Sequence, residues 1–133
     1  MYDYYIYKTQ CEFSAEFFKL SCTLGYNSRK FIELITSTEL GDYYYGKECI
    51  DAWLSPAYVM EDFQNNFKIE KGEILPEYFM EWLGYLYRFW TFNYNVTIKQ
   101  VRDTISINDL LCSYEGLHVM SWEEIVETLM HMQ

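Results

Sequence analysis

An all-α fold is what this sequence predicts: a single-domain bundle of about seven helices packed around one aromatic helix at roughly 77–92. Three observations predict it. The stretch Glu81-Trp82-Leu83-Gly84-Tyr85-Leu86-Tyr87-Arg88-Phe89-Trp90-Thr91-Phe92-Asn93-Tyr94, read at helical period, leaves one polar line. That line is Glu77, Glu81, Gly84 and Arg88, at spacings of 4, 3 and 4. A helix apolar on nearly every other side is one that other helices surround. Several further segments carry the same period, each bounded by a capping residue, a glycine or a proline. The last third adds three candidate capping boxes, and only residues 2–7 and 94–98 read as strand-like.

Taken in order, residues 1–9 form either an extended arm or an extra helical turn. Across 10–24, Glu12, Glu16, Lys19 and Thr23 share one face, Phe13, Phe17, Leu20 and Leu24 another, and Gly25 supplies the stop. Asn27 or Ser28 caps a second helix, which carries Phe31, Ile32, Leu34 and Ile35 and stops at Gly41. Residues 42–55 are the least regular, reading as a loop with a short helix at 49–54. Ser55-Pro56 starts the next helix, with Val59, Met60, Phe63 and Phe67 behind it, and Lys71-Gly72 breaks it. Pro76 opens the central helix, whose Glu77–Glu81–Arg88 line reads as a solvent stripe. Were those charges buried, they would need partners. Thr97 with Gln100, Ser106 with Asp109 and Ser121 with Glu124 then start three short helices, Gly116 and residues 117–120 linking the last two.

Half of the 133 residues are hydrophobic and a fifth are aromatic, enough to build a core without disulfides or metal. Fourteen tyrosines exceed what a core needs, so some serve the surface, and homodimerisation is one outcome of exposed rings. No run of apolar residues is long enough for a membrane span and residues 1–10 do not form a signal peptide, so the expected location is cytoplasmic. Cys11, Cys22, Cys49 and Cys112 form no CxxC or CxxH pair. Cys11 and Cys22 sit on one helix face about 16 Å apart, beyond disulfide reach, and the four are expected to be reduced and mostly buried.

Charge is uneven. Twenty acids face ten bases for a net charge of −10, and residues 103–133 hold six acids with no Lys or Arg. Such a surface repels phosphate backbones and attracts basic proteins, which argues against direct nucleic-acid binding. The acids Asp103, Asp109, Glu115, Glu123, Glu124 and Glu127 are one candidate partner-binding surface. Tyr43, Tyr44 and Tyr45 are another, because three adjacent tyrosines before Gly46 cannot all point inward.

Signals for chemistry are sparse. His118 and His131 have no metal-ligand partner at helical spacing, and nucleotide, P-loop, zincin and nucleophile-elbow motifs are absent. The expectation is therefore no catalytic residue, no cofactor and no metal. A pocket around Tyr85, Arg88 and His118, with Glu115 to orient the histidine, is the enzymatic alternative.

The nine residues 82–90 resemble the W-[IL]-G-Y-x-Y-R-x-W signature of a largely uncharacterised family of small acidic bacterial proteins. Members are often encoded beside candidate toxins with an ADP-ribosyltransferase-like fold, in clusters resembling toxin–antitoxin modules. The resemblance extends from 28 to 129, with Leu54-Ser55-Pro56-Ala57-Tyr58 and residues 114–118 as similar pieces. Two departures stand out: Thr91 replaces a histidine, and Asn93-Tyr94-Asn95-Val96 replaces a Thr/Gly/Ser-rich segment.

The resemblance implies an antitoxin or immunity role, and the missing histidine points further toward binding. The expected function is thus a non-enzymatic module that neutralises a basic or nucleotide-binding partner, such as a cognate toxin, by occluding its cleft. The alternative is a phage or mobile-element inhibitor that mimics nucleic acid to block a nuclease or defence protein.

Overall fold

The computed structural model describes residues 4–37 and 55–132. Among them run seven helices: α1 (Tyr4–Thr23), α2 (Ser28–Ile35), α3 (Pro56–Asn66), α4 (Glu77–Asn93), α5 (Ile98–Thr104), α6 (Ile107–Leu117) and α7 (Trp122–His131). The fold is all-α, and the β-structure among the described residues is one isolated antiparallel bridge, Tyr26 to Lys71. Gly41, the Tyr43-Tyr44-Tyr45 run, Cys49 and the short helix expected at 49–54 lie outside the described residues.

One hydrophobic cluster draws on all seven helices, with α4 at its centre. On α4, Phe79, Met80, Leu83, Leu86 and Tyr87 are fully enclosed, as expected of the aromatic helix. Phe18 and Phe31 meet edge to face at 5.2 Å between centroids, and Phe18 meets Tyr87 in the same way at 6.0 Å. Phe63 closes the group against Phe17 and Phe31. Each such pair adds about 0.5–1.5 kcal/mol to what area burial alone supplies.

Several boundaries differ from expectation, each for a local reason. Of the two readings of the opening segment, the helical one holds from Tyr4, because no glycine or proline interrupts the run into α1. Gly25 does end that helix, at φ 77°. Its N–H reaches Cys22 O and that of Tyr26 reaches Ser21 O, the paired bonds of a Schellman stop. Asn27 is the cap of α2, its side chain accepting from Lys30 N. The helix ends well before Gly41, where the Thr36 hydroxyl donates back to Ile32 O at 2.6 Å. α3 stops at Asn66, ahead of Lys71-Gly72, as the Asn66 side chain donates to Asp62 O and Phe67 turns extended. At 94–98 no strand forms, since Tyr94 caps α4, Asn95 takes φ 50° and Thr97 already caps α5. Gly116 lies inside α6 rather than in a linker. The capping boxes of Thr97–Gln100 and Ser121–Glu124 are complete, whereas Ser106 accepts from Asp109 N without a reciprocal bond.

The pairing of α1 with α4 places everything that follows. Lys19 reaches Glu77 and Glu81 at 3.8 and 3.5 Å, Ser14 and Ala15 lie against Gly84, and Gln10 meets Arg88. The residue numbers fall on α1 as they rise on α4, so the two helices run antiparallel. The line that reads as a solvent stripe is therefore largely a seam. Glu77 and Glu81 remain exposed at its edge, while Gly84 and Arg88 are buried beneath α1. A polar line on an apolar helix has two physical solutions, water or a partner helix with matching polar groups. Here Ser14 and Gln10, both buried on α1, take the second.

The cysteines follow this layering. Among the described cysteines, Cys11 and Cys22 are buried on α1 and Cys112 is exposed, so these thiols are mostly buried, as expected. Burial pushes the Cys11 thiol up from 9.0 to about 12, against the opposing pull of the nearby Arg88 charge. Cys22 is also held above its ordinary value, chiefly by burial. Because the thiolate is the reactive form, brief iodoacetamide treatment of folded protein should label Cys112 at least roughly tenfold faster than Cys11 or Cys22. Peptide mass spectrometry measures this, and equal labelling of Cys11 and Cys112 would contradict the burial of α1.

Candidate functional site

A cleft of ≈ 490 Å³ opens where α1, α4, α6 and α7 meet. Its position follows from helical period. On α1, Glu12, Ala15 and Glu16 are one turn apart and present the flank beside the α4 seam. On α4, Tyr78, Glu81, Trp82 and Tyr85 present the flank facing the same space. Tyr114 and His118 enter from the last turn of α6, and Trp122 from the first turn of α7.

The walls are rings held by other rings. Tyr85 and Trp122 stack at 4.3 Å with planes 16° apart, and Trp82 stands 6.4 Å from Trp122 at 31°. Tyr114 meets Trp82 edge to face at 5.1 Å and stacks on His118 at 4.7 Å. Tyr78, 59% exposed, leans on Tyr114 from outside. The His118 Nδ1 lies 2.9 Å from the carbonyl of Tyr114. A carbonyl only accepts, so Nδ1 carries the proton and Nε2 is the acceptor in the neutral ring. The buried indole N–H of Trp82 has no acceptor among the described residues.

The electrostatics of the cleft are negative. Three carboxylates, Glu12, Glu16 and Glu81, line it and no Lys or Arg does. Lys8 stands 3.9 Å from Glu12, and Lys19 lies just outside between Glu77 and Glu81. Glu81 foremost, then Glu16 and Glu77, hold the Lys19 ammonium above its ordinary pKa. Burial, and after it Tyr78, Glu115 and Glu81, raise the Tyr114 phenol, so it stays a protonated donor at neutral pH.

The sequence candidates divide against this geometry. Tyr85 and His118 line the cleft together, while Arg88 does not. Arg88 is only 3% exposed and donates through Nε and Nη2 to Gln10 Oε1 at 3.2 and 2.5 Å, with its guanidinium 4.4 Å over Phe92. The pocket around Arg88 is thus displaced one turn along α4, because α1 covers Arg88 itself.

Of the acids, Glu115 is near enough to influence Tyr114 beside the cleft. Glu123 and Glu127 stand elsewhere, one turn apart on α7, where burial foremost, then Glu127 and Glu123, raises the Tyr94 phenol. Tyr94 lines a smaller hollow of ≈ 230 Å³ with Trp90, Val101 and Met130. Asp103 pairs with Arg102 at 3.5 Å, Asp109 is exposed at the start of α6, and Glu124 spends its carboxylate on the Ser121 cap. Tyr43, Tyr44 and Tyr45 lie outside the described residues.

Glu12, Glu16, Tyr78, Trp82, Tyr114 and Trp122 are cleft residues that the sequence pattern does not single out, and Glu81, which reads there as part of a solvent stripe, joins them. The available signal was that Glu12 and Glu16 share a face of α1 as Glu77 and Glu81 share one of α4. Among the described residues, no group of three His, Cys, Asp or Glu side chains is placed to hold a metal ion. Nor is any described helix long and apolar enough to cross a membrane.

Fold and site together define an all-α protein that presents an acidic, ring-walled cleft. No protein-family model, curated protein or solved structure matches the chain.

Proposed function

We propose that this protein is a stoichiometric, non-enzymatic binding module of the antitoxin or immunity kind, which neutralises a basic partner protein by covering its active or binding cleft. The observation that carries the reading is the acidic cleft of α1, α4, α6 and α7, which joins three carboxylates to a wall of Tyr and Trp. Tyr and Trp anchor protein interfaces because each offers large, rigid contact area with a polar handle. The surrounding net charge of −10 steers a basic partner toward it and turns nucleic acid away. The resemblance of residues 82–90 to proteins encoded beside toxin candidates supports the same reading and makes a neighbouring toxin the first partner to try.

The experiment is capture with tagged protein from the source cell at low and high salt, followed by recombination of the captured protein with this one. A single basic partner, held at equal stoichiometry, released by salt and inactivated on recombination, is the expected result. Capture of no partner at either salt, or of one whose activity is unaffected, removes the occlusion mechanism.

A further inference from the structure

We infer that the cleft receives an arginine side chain carried on a segment of the partner protein. The inference deepens the binding reading proposed above and rests on it for the source of that segment. The first argument is charge. Glu12, Glu16 and Glu81 line the cleft without a lining Lys or Arg, so an occupant with positive charge is attracted and a phosphate or carboxylate is repelled.

The second argument is the wall. Ring faces carry the negative part of the aromatic quadrupole, and a cation within about 6 Å of a Trp or Tyr face is held by it. Tyr85 and Trp122 cover one face of each other, and both rings line the cleft together with Trp82 and the three carboxylates. This combination selects a guanidinium over an ammonium. A guanidinium is flat, stacks on rings, is weakly hydrated and forks its donors onto carboxylate oxygens, whereas an ammonium is a compact and strongly hydrated point charge.

The third argument is size. At ≈ 490 Å³ the cleft exceeds what one side chain fills and falls in the range of roughly 300–1,000 Å³ that holds small ligands. A short stretch of chain bearing the arginine fits that volume. Glu16 is the carboxylate to test, because it is exposed and, unlike Glu77 and Glu81, acts on Lys19 only through its field and forms no salt bridge with it.

The test titrates the folded protein with an acetylated, amidated Gly-Arg-Gly-Arg-Gly peptide, its lysine counterpart and spermine, following the indole N–H resonances of Trp82 and Trp122. The expected result is saturable shifts of both resonances, with the arginine peptide bound at least about fivefold tighter than the lysine one. Glu16→Gln should weaken that binding severalfold without moving the melting temperature. Equal affinity for the two peptides, no shift at Trp82 and Trp122, or an unaltered affinity in Glu16→Gln would each overturn the inference. Tighter binding of spermine would overturn the source, making this a site for a free polyamine. If the peptide fails while the partner is still captured and inhibited, the cleft inference falls and the binding reading stands. If the peptide binds as expected and no partner is captured, the reverse holds.

Discussion

Gly84→Ala should destabilise the fold by about 2–3 kcal/mol even though it replaces a poor helix former with the best one. A Cβ on Gly84 would sit 2.5 Å from the carbonyl oxygen of Ser14 and 3.0 Å from Cα of Ala15. Both are backbone atoms of α1, so neither can rotate away, and the helices must separate or tilt along their whole seam. Against that stands a gain of roughly 0.5–1 kcal/mol from helix propensity, too small to reverse the sign. For a domain of this size the net loss corresponds to a fall in Tm of roughly 8–12 °C. Gly116→Ala is the matched control. Gly116 is also helical, but a Cβ there meets nothing within 4 Å, so the propensity gain should appear alone as a slight stabilisation. Urea melts of the two variants decide the matter. If Gly84→Ala is as stable as the parent, the close approach of α1 and α4 is not as described.

Gly84 also shows where sequence reasoning runs out. The 3.6-residue period, the Ser55-Pro56 start, the Gly25 stop and the complete capping boxes are local signals, and local interactions realise them. They carried the all-α class and most helix starts. The faces of α4 were harder, because Glu77, Glu81, Gly84 and Arg88 are consistent with either a water-facing stripe or a seam. The choice depends on what α1 offers at a separation of some seventy residues. Ser14 and Gln10 were the clue, as polar residues on the side of α1 opposite its charged stripe. Their burial becomes intelligible only when α1 is laid against α4.

The cleft was half legible for the same reason. Tyr85 and His118 stand out in the sequence by residue type and position, and both line it. Glu12 and Glu16 read as solvated residues of α1 and remain exposed, yet the antiparallel pairing turns them toward Glu81 and the ring wall. In the stretch 82–90, Trp82 and Tyr85 face the cleft, Gly84 and Arg88 face α1, and Leu83, Leu86, Tyr87, Phe89 and Trp90 fill the core. A run with so few free positions is a specific sequence pattern because nearly every residue in it has a packing duty.

Arg88→Ala is expected to cost about 2–5 kcal/mol, the largest effect of any single change considered. The guanidinium is buried, donates from Nε and Nη2 to Gln10 and lies over Phe92. Truncation removes those donors, opens a cavity and leaves the Gln10 oxygen without these two bonds beneath α1. Arg88→Lys should also lose stability, since a single ammonium cannot place two donors on one oxygen while keeping a flat face on Phe92. A double-mutant cycle with Gln10→Ala isolates the contact, and a coupling of about 1–3 kcal/mol is expected. The competing reading, Arg88 as a ligand-contacting residue in an enzymatic pocket, makes the opposite forecast of lost activity at unchanged stability. Chemical denaturation separates the two: a change below about 1 kcal/mol would return Arg88 to the list of candidate site residues. A large change would mean that the one arginine of the central helix serves the seam, leaving recognition to the rings and carboxylates one turn away.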